Sequence, residues 1–459
     1  VNSTANGARF TLPARDRERP LVSDSDLDRW WESRPREELL SVRPVGFGET
    51  SQWRFSEETG DLAHQSGGFF TVRGLRVTSG DRTVYQPVID QPEIGILGIL
   101  VKRFDGVPHF LMQAKFEPGN VNLRQISPTV QATRSNYTGV HGGRATPYVE
   151  YFRARRRGRV LVDVLQSEQG EWFWRKRNRN IVVEVDEDVP EHEDYRWFTL
   201  RQIQAMLRKD NLVNMDARTV LSCLAVDRAA GDAAEEDPFS RALARSYGGE
   251  SLHPLTEVVS WFTEAKAVAD RSSVLLPLSE AKGWHRTGTE IAAGEDAGFR
   301  ILMVSVEARI REVGSWVQPL LAPSRPGFAA FLVREIGGVL HVLVRTRAEP
   351  GTRDLVEIAP TVQYSASARG LGLEDPFADA VAAPPGHRLR YDALLSEEGG
   401  RFHHAQTRYR IVEADPTTSP EVPPDFLWVT VAQLMDLVRH SLYLNIEART
   451  LLLCLHTLR

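Results

Sequence analysis

Cysteine is nearly missing: two in 459 residues, Cys223 and Cys454. That excludes a disulfide scaffold and a cysteine-based metal site, and it predicts two buried, small, inert side chains. Lysine is almost as scarce, 6 against 50 arginines. Arginine is the better bidentate phosphate clamp, but so uniform a skew reads as a composition bias. Long apolar runs are missing too. The greasiest stretch, 94–101, is strand-sized, far below the roughly 18 residues a membrane helix needs. An excess of positive charge is also absent. The net charge is −5, which argues against bulk nucleic-acid binding but leaves room for a small anionic ligand. Arg9, Arg15, Arg17 and Arg19 are followed by no apolar segment, so there is no signal-peptide pattern and a reducing, cytoplasmic setting is expected.

Familiar chemical signatures are missing as well. The chain has no G-x-x-x-x-G-K-[ST], no G-x-G-x-x-G after a strand, no H-E-x-x-H and no C-x-x-C. This disfavours a phosphate-loop ATPase, a Rossmann redox enzyme and a zinc hydrolase. His403-His404 has no carboxylate at ligand spacing and reads as a surface pair. Ser56-Glu57-Glu58-Thr59-Gly60 is similar to the end of a pyrophosphohydrolase metal helix, but the upstream Gly, Glu and Arg-Glu pair are absent. What remains is 42% hydrophobic and 25% charged, the composition of a soluble globular enzyme. The length predicts two or three domains.

The chain is self-similar over nearly its whole length. Trp30 corresponds to Trp261, Trp53 to Trp284, and Gln86-Pro87 to Gln318-Pro319. Glu117-Pro118-Gly119 corresponds to Glu349-Pro350-Gly351. The segment Gln125-Ile-Ser-Pro-Thr-Val-Gln131 corresponds to Glu357-Ile-Ala-Pro-Thr-Val-Gln363. Ser167-Glu168 pairs with Ser396-Glu397, and Asn214, Arg218 and Cys223 with Asn445, Arg449 and Cys454. The offset stays between 229 and 232, a register that chance does not keep. Two units follow, 1–235 and 250–459, joined near 227–251, where Ala, Gly and acidic residues replace any strand pattern.

Each unit reads alike. An amphipathic opening helix carries the first Trp. Strands are expected at 69–75, 94–102, 109–116, 159–166 and 181–185, and in the second half at 299–305, 328–334, 341–347 and 409–412. A helix pair closes the unit, the first helix capped by Thr199. About seven strands with an opening helix and two closing helices make an α+β fold with a mixed sheet.

The densest polar patch is 115–143, KFEPGNVNLRQISPTVQATRSNYTGVHGG. A polar loop on a strand scaffold is a common ligand site; for the PTVQ core, kept in both halves, a self-satisfied loop is the competing reading. The duplication supplies an internal control. Arg134, Asn136, Tyr137 and His141 have no counterpart in the second half, whereas Ser135 persists as Ser367. An active first half and a degenerate second half that still binds are expected. Trp53 and Trp284 sit in polar loops where a flat ring would stack on a nucleobase.

EPGNVN, QISPTVQATRSNYTGVHGG and PYVEYF resemble the NDP-hexose 2,3-dehydratases of deoxysugar antibiotic pathways, and the two-fold repeat fits that family along the full length. The resemblance implies two Nudix-like α/β modules from gene duplication, a homodimer, a dTDP-sugar site in each module, and no metal or organic cofactor. It implies the substrate dTDP-4-keto-6-deoxy-α-D-glucose, with an NADPH-dependent 3-ketoreductase acting next. No nucleic-acid or membrane partner is expected. Within that frame Tyr137 and His141 are acid–base candidates and Glu117 an alternative base. Arg134 would hold the pyrophosphate or polarise the ketone. Thr133, Ser135, Asn136 and Ser167 would supply hydrogen bonds, and Trp53 would stack on thymine. Trp284, Tyr364, Ser365, Ser367 and Arg369 would line the second pocket. Two other readings remain open: a non-catalytic nucleotide-sugar binding or scaffold protein, and a diverged pyrophosphohydrolase.

Overall fold

A computed structural model describes residues 10–12, 19–34, 40–133, 146–153, 157–228, 237–248, 250–294, 298–308, 314–364, 375–417 and 420–458. Each half contains a seven-stranded mixed sheet. In the first half the order is Arg159–Ser167, Arg177–Glu184, Gly95–Phe104, Val107–Phe116, Tyr195–Thr199; Val130–Ala132 also pairs with Gly95–Phe104, and Arg124–Ser127 with Val107–Phe116. The second half repeats it with Leu389–Ser396, Gln406–Glu413, Gly327–Ile336, Val339–Arg347 and Phe426–Thr430. There Val362–Tyr364 and Glu357–Pro360 take the two side positions. In each sheet one pair is parallel, Arg177–Glu184 with Gly95–Phe104 and Gln406–Glu413 with Gly327–Ile336; the other pairs are antiparallel. The expected strands 94–102, 109–116, 159–166, 181–185, 328–334, 341–347 and 409–412 fall on these elements, with ends moved by a few residues, whereas 69–75 and 299–305 fall on Thr71–Ser79 and Phe299–Ala308, which belong to separate five-stranded sheets.

Helix starts follow from side-chain caps. Thr199 accepts from the Gln202 amide while Gln202 reaches back to the Thr199 amide; Thr430 and Gln433 repeat this box. Asn214 and Asn445 cap the last helix of each half, Met215–Ser222 and Ile446–Leu455, by accepting from Ala217 and Ala448. The opening helices Asp24–Ser33 and Leu255–Ala267 carry Trp30 and Trp261 as expected. The joint holds an unexpected element, helix Pro238–Ser246, capped by Asp237 and opened by a proline. Both cysteines are buried free thiols. Among the described residues no helix is long and apolar enough to cross a membrane.

The halves exchange strands. Leu40–Val45 of the first half pairs with Phe299–Ala308 of the second, from Val45 opposite Met303 to Leu40 opposite Ala308. Arg271–Leu276 of the second half pairs with Thr71–Ser79 of the first. The two lent strands are equivalent in the repeat, so the exchange is reciprocal. The last helices of the halves pack on each other, and the main core draws Val220 and Leu224 together with Leu451 and Leu455. Two fully buried arginines cross this junction. Arg218 donates to the carbonyls of Val213 (2.8 Å) and, across the junction, Ser396 (2.9 Å). Arg449 donates to the carbonyls of Leu444 (2.6 Å) and Ser167 (2.5 Å). A buried guanidinium is tolerated because backbone oxygens replace its water.

Candidate active site

The two Glu-Pro-Gly turns dock across the junction. The Gly119 amide donates to the Gly399 carbonyl (2.8 Å), and the Gly119 carbonyl accepts from the His404 amide (2.7 Å). Gly351 does the same with Gly170 (2.5 Å) and Arg175 (2.7 Å). Each turn therefore rests on the loop that follows Ser396-Glu397 or Ser167-Glu168 of the other half.

The Pro-Thr-Val-Gln segments are satisfied internally. Thr129 accepts from the Leu100 amide (2.9 Å) and donates to the Leu111 carbonyl; Thr361 does likewise with Leu332 and Leu343. Gln131 donates to the Glu117 carboxylate (2.8 Å) and accepts from Asn214 (3.2 Å) and Ser127 (3.1 Å). Gln363 donates to Glu349 (2.8 Å) and accepts from Asn445 (2.8 Å). One chain of hydrogen bonds thus ties the turn, the Gln and the cap of the last helix, which explains why these residues occur in both halves.

A pocket opens beside this chain in the second half. Gln169 and Trp172 come from the first half; Gln363, Tyr364, Glu397 and Glu447 come from the second. The equivalent positions in the first half are Gln131, Glu168 and Asp216, and Glu398 and Arg401 of the second half stand where the repeat places Gln169 and Trp172. The carboxylates of Glu117 and Glu398 converge over Gly400: an added Cβ there would lie 3.6 Å from one and 3.2 Å from the other. Each site is therefore composite, built from both halves.

The first-half cluster is rich in perturbed groups. Burial, with the field of Glu398, pushes the Glu168 carboxyl up to about 7, against the pull of Arg449 and Lys176. Burial and three neighbouring carboxylates raise Asp216 further. Burial lowers Lys176. Opposed shifts within one buried cluster make it a candidate acid–base site. At the junction, burial pushes Glu357 up to about 7, opposed by a hydrogen bond with Ser167 and by Arg449.

These shifts fix a sign for stability against pH. A carboxyl raised in the fold stabilises fully below its ordinary value of 4.5, and that contribution is lost as pH rises through about 7. The melting temperature is expected to fall by a few degrees between about pH 5 and pH 8, and Glu357→Gln, always neutral, to flatten the slope. A melting temperature that falls equally in wild type and variant, or rises in both, contradicts this.

The expected site residues separate into three groups. Arg134, Ser135, Asn136, Tyr137, His141, Ser365, Ser367 and Arg369 lie outside the described residues. Glu117 and Tyr364 lie at the two sites, and Thr133 ends the described part of the first loop. Trp53, Trp284 and Ser167 lie elsewhere. Trp53 is 4% exposed, packs on Phe70, and donates its indole N–H to the Val317 carbonyl (2.7 Å) of the other half. It offers no face to a base. Trp284 is partly buried, donates to the Tyr85 carbonyl (2.8 Å) and packs on Phe299. Ser167 is buried at the junction with Arg449 and Glu357. His404 is exposed as expected and His403 is partly buried; their rings stack at 4.0 Å, and burial lowers both. Sequence reasoning passed over Glu168, Lys176, Asp216 and Glu398. The signal was present, since Lys176 aligns with Ala405 and Glu398 with Gln169.

Comparison with known proteins gives a consistent picture. A family model described as NDP-hexose 2,3-dehydratase matches twice, over residues 24–224 and 255–455. A dTDP-4-dehydro-6-deoxy-alpha-D-glucopyranose 2,3-dehydratase of Saccharopolyspora spinosa is 49% identical over 463 residues, 99% of this chain and 95% of its own. Proteins of the same name from Amycolatopsis orientalis and Streptomyces violaceoruber are 44% and 43% identical. They cover 98% and 95% of this chain, and 93% and 98% of their own lengths.

Proposed function

The chain belongs to the NDP-hexose 2,3-dehydratase family, and from that premise we propose that it removes water across C2 and C3 of dTDP-4-keto-6-deoxy-α-D-glucose. The observation that carries this is identity of 43–49% along nearly the whole length to three dehydratases of that name. The composite first-half site, with its neutral-favouring carboxyls, supports it.

The C4 ketone acidifies the C3 proton. A base removes it and the C4 oxygen takes the enolate charge. Hydroxide leaves C2 as water once protonated, and the enol tautomerises to the 3,4-diketo-2,6-dideoxy sugar. Protein must supply a base, a donor to the C4 oxygen and an acid for the leaving group. The ketone is itself the electron sink, so the reaction needs no organic cofactor.

Tyr137 and His141 are proposed for acid–base roles, with Glu117 as an alternative base. Arg134 is proposed for the pyrophosphate or ketone; Thr133, Ser135 and Asn136 for neutral hydrogen bonds. Tyr364, Ser365, Ser367 and Arg369 are proposed to line a non-catalytic nucleotide-sugar pocket in the second half. We further propose modules spanning 1–235 and 250–459, each of Nudix-like type; the mixed sheet with one parallel pair in each half supports that type. A homodimer in the cytoplasm, feeding a 3-ketoreductase, completes the proposal.

The test couples the purified protein to a 3-ketoreductase. Substrate and NADPH are expected to give NADPH consumption only when the protein is present. No consumption, together with no dTDP released from the unstable diketone, would overturn it.

A further inference from the structure

Glu168 and Glu397 occupy the same position in the two halves, yet their surroundings differ. Glu397 is held by fixed neutral donors: Gln169 at 2.8 Å on one oxygen and the Tyr409 hydroxyl at 3.1 Å on the other. Glu168 is equally buried, 4% exposed against 3%. Its Oε1 accepts from Asn178 (2.7 Å), but its Oε2 has no partner among the described residues. Where the second half has Gln169 and Ala405, the first has Glu398 and Lys176. Lys176 is 6% exposed, and its ammonium donates to the Glu93 carbonyl, leaving donors over. Glu397 lines the second-half pocket, and Glu168 holds the equivalent position in the first-half cluster beside Glu398, Lys176 and Asp216.

We propose that Glu168 is the acid that protonates the departing C2 hydroxyl, with Lys176 of its own half and Glu398 of the other as positioning residues. This rests on the dehydratase reading above. The C2–O bond breaks, its electron pair stays on oxygen, and that oxygen takes the Glu168 proton to leave as water. The enolate pair from C3 closes the C2–C3 double bond. The proton that the base took from C3 returns to Glu168 through water or the Lys176 ammonium, so the balance is loss of one water. The second half is then a required donor to the active site, through Glu398.

The charged groups facing Glu168 are Lys176, Asp216 from the last helix of its half, and Glu398 and Arg449 from the other half. Glu398 favours its protonated form and Lys176 disfavours it. An acid works while protonated, so kcat falls on the alkaline side as Glu168 ionises. Removing Glu398 moves that limb to lower pH; removing Lys176 moves it to higher pH.

Glu168→Gln, Lys176→Met and Glu398→Gln decide the matter, assayed for dTDP binding, for product, and for exchange of the C3 proton in deuterated water. Glu168→Gln is expected to keep dTDP affinity within about threefold and to keep C3 exchange, while product formation falls at least ~100-fold. The other two variants are expected to shift the alkaline limb in opposite directions. Should Glu168→Gln fail to fold, the two limb shifts decide alone. Product within about threefold of wild type, loss of exchange with binding intact, or limb shifts of the same sign would overturn the proposal. If the wild-type protein forms no product and exchanges no C3 proton, the dehydratase reading fails first, and separately.

Discussion

Residues 1–235 expressed without the second half will not reach a cooperatively folded state; co-expressed with 236–459 they will recover a one-to-one complex. The strand Leu40–Val45 would have no sheet to join, because its partner Phe299–Ala308 is absent. Thr71–Ser79 would lose Arg271–Leu276 and gain an open edge, a template for aggregation. Arg449 would no longer satisfy the Ser167 carbonyl, and Arg218 would lose both the Ser396 carbonyl and the Tyr409 ring. Val220 and Leu224 would lose the cover of Leu451 and Leu455. Each large apolar side chain uncovered costs roughly 1.5–3 kcal/mol, and a handful exhausts the ~5–15 kcal/mol by which domains are stable. Circular dichroism with thermal melting checks this. A cooperative transition of the isolated first half near that of the full chain would contradict it.

Gly119→Ala is expected to destabilise the protein by about 3–5 kcal/mol, a loss of roughly 3–5 °C in melting temperature for a chain of this length. A Cβ on Gly119 would lie 1.7 Å from the Phe402 carbonyl oxygen and 2.7 Å from that of Gly399. Both obstacles are backbone, so no side chain can swing aside. The turn must lift off, breaking the hydrogen bonds to Gly399 and His404. Gly351→Ala meets the Phe173 carbonyl at 1.9 Å and should behave alike. Gly48→Ala, where nothing lies within 4 Å, is the control. A melting temperature for Gly119→Ala that matches this control would contradict the docking of the turns. The reason for glycine here is close approach of two backbones rather than a left-handed turn.

Much of this architecture was legible in the chain. The repeat announced two equivalent sheets, and apolar runs such as 94–101 located their central strands. The exchanged strands were hidden. Leu40–Val45 and Arg271–Leu276 are short, half-exposed edge elements with no clean alternation, and their partners lie more than 190 residues away. Distance along the chain also concealed the role of Trp53. Its flanking residues are polar, so the ring looked available, yet its N–H is committed to a carbonyl 264 residues on. For the site, the half-to-half comparison was the right instrument applied to too short a stretch. It covered the loop at 133–141 and paired Glu168 with Glu397, but did not extend to 176, where Lys176 against Ala405 carries the same contrast. Glu398 was harder, because it belongs by sequence to the second half and by position to the first site.

The central claim is that this chain eliminates water from a 4-keto sugar nucleotide. The most direct measurement is proton NMR of dTDP-4-keto-6-deoxyglucose with the purified protein in deuterated water. The expected result is loss of the C3 proton signal followed by the appearance of diketone product and released dTDP. Saturable binding with the C3 signal intact would leave a nucleotide-sugar binding protein, and magnesium-dependent cleavage of the pyrophosphate a hydrolase; either would contradict the dehydratase.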